Sequence, residues 1–188
     1  MLKVIRICIF VMVLFSFISV ANEHASDNSR LDIVSSIASS RLSPEEVVMN
    51  FYEGYLKNTD EETLVELYVT PELALKLYHS SICNYDSDVD ENELKKICRK
   101  DQKCKKNSGN IVCNWDGTWI ETDVNYFIKS QDNYPSWEKN IVVLKSKQTA
   151  TYSKIDLILG DGTDPILNLQ IVLIKQGSNW KINRVTKI

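Results

Sequence analysis

Four cysteines, Cys83, Cys98, Cys104 and Cys113, fall within 31 residues, separated by 15, 6 and 9 positions. Those spacings do not fit a zinc knuckle, and no histidine lies among the cysteines to complete a metal site. Disulfides are the chemistry left to such a cluster, and they form and persist in an oxidising compartment. Two bridges allow three pairings. The nested arrangement, Cys83–Cys113 around Cys98–Cys104, is favoured because its outer bridge staples the segment where it leaves the core. The sequential arrangement, Cys83–Cys98 with Cys104–Cys113, stands beside it. A clamp across about 30 residues contributes roughly 3–4 kcal/mol in the chain-entropy account. Residues 83–113 therefore read as a disulfide-clamped insert on a larger domain.

The N-terminus supports the same compartment. Lys3 and Arg6 make a positive start, Ile7 to Val20 is an apolar run of about fourteen residues, and Ser19-Val20-Ala21 offers small residues for cleavage. That run is short of the roughly 20 residues a spanning helix needs. Residues 1–21 are expected to be a signal peptide, leaving no membrane anchor and a periplasmic or secreted mature chain from Asn22. Cleavage removes Cys8 and leaves an even cysteine count. It also removes two basic residues, so 20 Lys+Arg stand against 25 Asp+Glu, a balance of −5. A mildly acidic chain without a basic block argues against nucleic acid and suits a neutral or basic protein partner.

The mature chain divides by pattern. Residues 22–42 are polar and serine-rich, a flexible leader with a weak stripe at Ile33, Val34 and Ile37. Residues 43–188 form a single α+β domain that carries the insert. Ser43-Pro44-Glu45-Glu46 is a capping-box helix start, followed by an apolar stripe at Val47, Val48, Phe51, Tyr52, Tyr55 and Leu56. Asp60 opens a second helix with Leu64, Leu67 and Tyr68 on one face. Thr70-Pro71-Glu72 opens a third, with Leu73, Leu77 and Tyr78 expected inward. Asn92 to Lys100 reads as a further helix inside the insert.

Beyond the insert the period changes to two. Ile141 to Leu144, Thr149 to Leu159, Pro165 to Ile174 and Trp180 to Ile188 read as strands of an antiparallel meander, with Gly160 to Asp164 and Gln176 to Asn179 as turns. Trp180 and Ile182 are two apart, but the next apolar residue is Val185, which predicts a bulge in the last strand. Helices followed by a meander make an α+β fold, with helices packed on a curled antiparallel sheet.

Several of these segments carry a resemblance: Phe51-Tyr52 with Tyr55-Leu56, Tyr126-Phe127-Ile128-Lys129-Ser130-Gln131-Asp132, Trp137, Leu157-Ile158-Leu159-Gly160, and the closing Trp180-Lys181-Ile182-Asn183-Arg184-Val185. Together they resemble an uncharacterised family of bacterial envelope proteins with a nuclear transport factor 2-like cone. The resemblance covers residues 43–188 with the cysteine segment as an insert. It implies a cone of helices on a curled sheet and an envelope address, and it brings no catalytic residue.

Candidate chemistry is sparse. His24 lies in the leader, and His79 reads as a helix-end or interfacial residue. Asp123 and Asp132 flank a short expected helix bearing Val124, Phe127 and Ile128. They read as its cap and its closing turn, with a buried acid as the rival reading. Asp161-Gly162-Thr163-Asp164 lacks the spacing and distal glutamate of a calcium loop. The acidic series Asp86, Asp88, Asp90 and Glu91 reads as a solvated helix start. No metal or cofactor is expected, and no enzyme. The feature that points outward is an aromatic cluster edged by carboxylates: Trp115, Trp119, Asp123, Tyr126, Asp132, Tyr134 and Trp137, the candidate protein-binding residues. Two functions remain. The first is a non-enzymatic binding protein that engages another protein, in one form an immunity-type inhibitor of an exported toxin. The second is a cone-fold enzyme or small-ligand carrier using a pocket between sheet and helices. The apolar inward candidates Ile155, Leu157, Leu159, Leu167, Leu169, Ile171 and Leu173 favour a filled core and hence the first.

Overall fold

The computed structural model describes residues 42–85, 89–98, 103–107 and 109–188. The expected signal peptide and nearly all of the leader lie outside the described residues. Helix α1 (Pro44–Leu56) begins at the expected capping box. Ser43 Oγ accepts the Glu46 N–H at 3.2 Å, and the Glu46 carboxylate accepts the Ser43 N–H at 2.7 Å. Its stripe Val47, Val48, Phe51, Tyr52 and Leu56 is at most 2 % exposed. Helix α2 (Glu61–Tyr68) is capped by Asp60 and α3 (Pro71–Asn84) by Thr70, whose Oγ1 accepts the Leu73 N–H at 3.2 Å.

Strands β4 (Ile141–Gln148), β5 (Tyr152–Leu159), β6 (Leu167–Gln176) and β7 (Asn179–Lys187) form an antiparallel meander in sequence order. The period-two register brings Leu159, Leu157 and Ile155 of β5 opposite Leu167, Leu169 and Ile171 of β6 on one face. That face and the α1 stripe belong to one core, along with Phe127, Ile128 and Trp137. The bulge expected in the last strand is Asn183: Val172 pairs with Arg184 and Leu173 with Ile182. A second register shift falls between Val143 and Lys145. The β7 edge is covered at this bulge, where the Thr70 N–H donates to the Ile182 carbonyl at 2.9 Å and Thr70 Oγ1 donates to Asn183 Oδ1 at 3.2 Å.

Between these halves lie α4 (Glu91–Cys98) and a small antiparallel sheet of β1 (Lys103–Asn107), β2 (Asn110–Trp115) and β3 (Thr118–Glu121). The disulfides are sequential, not nested. Cys83 at the end of α3 joins Cys98 at the end of α4, with Cα atoms 5.7 Å apart. Cys104 and Cys113 are directly opposed in the β1–β2 hairpin, 4.1 Å apart. The hairpin register decides the matter, because it sets Cys113 against Cys104. The result is two local clamps of roughly 3 and 2.5 kcal/mol in the chain-entropy account.

Two further expectations change. Tyr78 does not face the core with Leu73; it is 55 % exposed. The segment around Val124, Phe127 and Ile128 is a tight turn rather than a helix. Asn125 Oδ1 accepts the N–H groups of Phe127 and Ile128 at 3.0 and 3.3 Å, while its backbone N–H donates to the Ser130 carbonyl at 3.0 Å. An asparagine side chain that captures local N–H groups replaces the helical ladder. Asp123 therefore caps nothing and sits at φ 58°.

Helix α5 (Pro135–Lys139) is pinned by the β5–β6 connection, where Asp164 Oδ2 accepts the Ser136 N–H at 3.1 Å and Trp137 Nε1 donates to the Pro165 carbonyl at 2.7 Å. Gly160, at φ +96°, permits the close approach: a Cβ there would lie 3.0 Å from Trp137 Cδ1. Substituting Gly160→Ala is expected to cost about 1–3 kcal/mol in urea denaturation. Gly177→Ala, in open space at φ +62°, should cost less because it adds backbone strain without a clash. Equal losses would remove the contact with Trp137 from the explanation.

Candidate protein-binding surface

The seven aromatic and acidic residues singled out in the sequence do not gather on one surface. Trp115, Tyr126 and Trp137 are core residues. The Tyr126 hydroxyl accepts the Val185 N–H at 3.3 Å, and Tyr134 packs edge-on against Trp137 at 4.9 Å. Asp132 is exposed at a turn, its N–H donating to Ser130 Oγ at 3.3 Å. Asp123 is exposed and paired with Tyr85, whose hydroxyl accepts the Asp123 N–H at 2.9 Å and donates to its Oδ1 at 3.2 Å. Of these five aromatic side chains only Trp119 is exposed, at 45 %, with Lys105 Nζ 4.8 Å from its centroid.

The exposed large apolar side chains that matter most were not singled out. Leu75 and Tyr78 on α3, at 53 % and 55 % exposure, are joined by Tyr85 at its end and by Ile111 and Trp119 on the small sheet. Leu75 and Tyr78 form one wall of an open groove of about 490 Å³ between α2 and α3. Glu62, Val65, Glu66 and Val69 line the α2 side, and Pro71 and Ala74 complete the α3 side. Glu62, Val65 and Glu66 follow i, i+3, i+4 on α2 and Pro71, Ala74, Leu75 and Tyr78 follow i, i+3, i+4, i+7 on α3, while Val69 is the extended residue just past α2. The signal was present: Leu75 is one apolar residue more than the inward stripe of α3 requires, and Tyr78 was read as part of that stripe.

Several groups fasten this region. Lys76 Nζ donates to the Asp116 carbonyl at 2.9 Å and lies 3.4 Å from Thr118 Oγ1, tying α3 to the β2–β3 turn. His79 is half-buried between α3 and β2, its ring 6.3 Å from Trp115, which is the interfacial position expected of it. Asp90 caps α4, its Oδ1 accepting the Asn92 N–H at 2.9 Å; Asp86 and Asp88 lie outside the described residues. The charge is also sorted by element. Residues 44–85 carry eight acidic and two basic side chains, whereas residues 141–188 carry seven basic and three acidic ones.

Burial lowers the proton affinity of Lys181 beside Glu66, with Glu66 acting the other way; other groups with shifted proton affinities lie away from the groove. A polar cleft of about 400 Å³ lies where α1 meets α2, lined by Tyr55, Glu61, Asn125 and Gln131 among others. Burial pushes the Tyr55 hydroxyl up to about 12, against the hydrogen bond it accepts from Asn125 Nδ2 at 2.6 Å. At neutral pH it is a hydrogen-bonding group and not a base. Asp161 is held below the usual carboxylate range by the Thr163 hydroxyl and N–H, as a turn residue. Lys129 is mostly enclosed, its ammonium 3.5 Å from the Tyr126 ring centroid. Burial lowers it to about 7, with Glu121 acting the other way.

The fold and these surfaces define an α+β domain with a filled sheet face and five exposed large apolar side chains on α3 and the small sheet, the other four of the described residues lying on β4, in the β5–β6 connection and at Ile188. No protein-family model matches the sequence, and no curated protein matches it. Among solved structures it is similar to a chain in the crystal structure of the type VI native effector-immunity complex Tae3-Tai3 from Ralstonia pickettii, with 16 % identity and a TM-score of 0.48, covering 77 % of this chain and 94 % of that one. The selenomethionine form of the same complex gives 18 % identity and a TM-score of 0.49, covering 77 % of this chain and 96 % of that one.

Lys129 gives a pH signature. Its folded value, about 7, lies below the 10.5 of a free lysine, so between those pH values the unfolded chain holds a proton that the folded chain has released. Stability from this group rises with pH across that window and sits on its lower plateau below pH 7. Lys129→Met should therefore exceed the parent in urea midpoint at pH 6.5, with the gap narrowing steadily as pH rises to 9.5. A gap independent of pH would show that the ammonium is not held in this way.

Proposed function

We propose that the mature chain is a periplasmic or secreted, non-enzymatic protein that binds another protein. The observation that carries this reading is that Leu75, Tyr78, Tyr85, Ile111 and Trp119, five of the nine large apolar side chains exposed among the described residues, lie on α3 and the small sheet, with Ile111 and Trp119 on the two faces of that sheet. Exposed apolar residues gathered on one part of a molecule mark interaction surfaces more often than scattered ones do. Two disulfides brace that part, and they suit an oxidising compartment. Among the described residues no helix is long and apolar enough to cross a membrane. In its finer form the partner is an exported toxin and the chain its immunity-type inhibitor, for which the acidic helices would suit a basic target. The envelope-family and cone-like readings belong here too, supported by the α1 stripe on a bulged antiparallel sheet.

The second reading, a small-ligand carrier or cone-fold enzyme, has the polar cleft at Tyr55 in its favour. Against it, the face between sheet and helices where such a site was expected is filled. Ile155, Leu157, Leu159, Leu169, Ile171 and Leu173 are all at most 1 % exposed.

Capture from an envelope extract with the oxidised chain from Asn22 to Ile188 tests the choice. A single stoichiometric protein should be retained, and lost at least about tenfold, some 1.4 kcal/mol, on replacing Trp119→Ala together with Ile111→Ser. Val142→Ser with Leu144→Ser, equally exposed on β4, should retain it. Equal recovery by all three baits, or no partner from a folded bait, would overturn the reading.

A further inference from the structure

We infer that the α2–α3 groove receives an amphipathic α-helix of a partner protein, one with leucine-class anchors flanked by lysine or arginine. This rests on the protein-binding reading and names the partner's chemistry. The groove runs between two helices joined at Val69-Thr70: Glu62, Glu66, Pro71, Leu75 and Tyr78 are exposed along it, Val65 and Ala74 are half-buried, and Val69 is buried at the joint. Walls built from i, i+4 ridges accept the ridge of a third helix, the geometry of helix-in-groove recognition.

The rim decides the sign of the occupant. Glu62 and Glu66 border the apolar floor, and neither forms an ion pair among the described residues. The nearby lysines are committed elsewhere. Lys76 holds the β2–β3 turn. Lys181 Nζ donates to the Glu66 carbonyl at 2.9 Å and to that of Leu67, beneath the end of α2. With Glu61 and Glu72 on the same two helices, acidic side chains outnumber basic ones at the groove, and the charge of Lys181 beside Glu66 offsets only part of them. A cationic amphipathic helix supplies both missing halves: apolar anchors against Leu75 and Tyr78, and positive flanks against Glu62 and Glu66. A second copy of this chain is the poorer occupant, because its three N-terminal helices carry the same negative charge.

The test uses the oxidised chain from Asn22 with two synthetic peptides about four turns long, one of leucine and lysine and one of leucine and glutamate in the same pattern. Isothermal titration should show the cationic peptide binding at least about tenfold tighter. Leu75→Ser with Tyr78→Ser should weaken binding of the cationic peptide at least about tenfold without lowering Tm, since both side chains are exposed. Glu62→Gln with Glu66→Gln should weaken binding and flatten its salt dependence, whereas Glu45→Gln with Glu53→Gln should change neither. Equal binding of the two peptides, equal loss from the Glu45 and Glu53 pair, or no binding would overturn the inference. So would a concentration-dependent dimer in sedimentation that Leu75→Ser with Tyr78→Ser dissolves, which would make a second copy the occupant. Partner capture that depends on Trp119 and survives Leu75→Ser with Tyr78→Ser would overturn the groove while leaving the protein-binding reading intact.

Discussion

Helix α1 and the inner face of the β4–β7 sheet share a core in which Phe51, Tyr52, Leu157 and Leu169 are all at most 1 % exposed. At about 25 cal/mol for each Å² of apolar surface removed from water, contacts of this kind dominate the stability of a domain this size. The Tyr52 hydroxyl extends the hold by donating to the Phe127 carbonyl at 2.8 Å, which fixes the 125–130 turn over the end of the core. Phe51 stacks on Tyr55 at 5.2 Å and meets Phe127 at 4.8 Å, so helix and turn share one set of aromatic contacts. Once that set is in place, the remaining elements are arranged around it. Helices α2 and α3 hang on the β7 bulge through Thr70, and the small sheet joins the core through Cys113, Trp115 and Ile120.

The disulfides sit where this core is thinnest. Helix α4 has no buried residue, and β1 carries exposed side chains at Lys103, Cys104, Lys105 and Lys106. Neither element could be held by apolar burial. Each bridge is local, closing 15 and 9 residues, and ties one such element to a neighbour already anchored. A surface braced in this way loses less conformational freedom on meeting a partner than a mobile loop would. Strands β2 and β3 bury Val112, Cys113, Trp115 and Ile120 while leaving Ile111 and Trp119 exposed, and the Cys104–Cys113 bridge adds β1 to them with its own side chains in water.

Much of this was legible. The capping box at Ser43, the α1 stripe and the alternation in β5 each reflect short-range rules, and the structure follows them. The bulge was readable from the broken period between Ile182 and Val185 because a bulge changes which face a side chain takes. What escaped depends on register or competition. The β1 hairpin has no alternating apolar pattern, since Lys-Cys-Lys-Lys-Asn is held by pairing and by sulfur, and missing that hairpin also hid the disulfide pairing. The 125–130 turn carries apolar residues at helical spacing, but the Asn125 side chain takes the N–H groups a helix would need. Trp115, Tyr126 and Trp137 were grouped by nearness in sequence, a criterion that does not distinguish packing from display.

The placement of Tyr78 shows why the groove was the hardest feature to find. A helix with more apolar positions than its core contact can cover must leave some in water, and α3 covers Leu73 while leaving Leu75 and Tyr78 out. Those two cost hydrophobic free energy in the free protein, and nothing in the fold recovers it. The neighbouring wall supplies carboxylates rather than a covering side chain, so solvation of the rim keeps the groove open. Segregated charge has the same consequence on a larger scale. The eight acidic residues of the helical segment repel one another mildly in the isolated domain, and a cationic partner turns that penalty into attraction. An apolar floor and an acidic rim on the same two helices therefore relax together when one cationic amphipathic surface covers both.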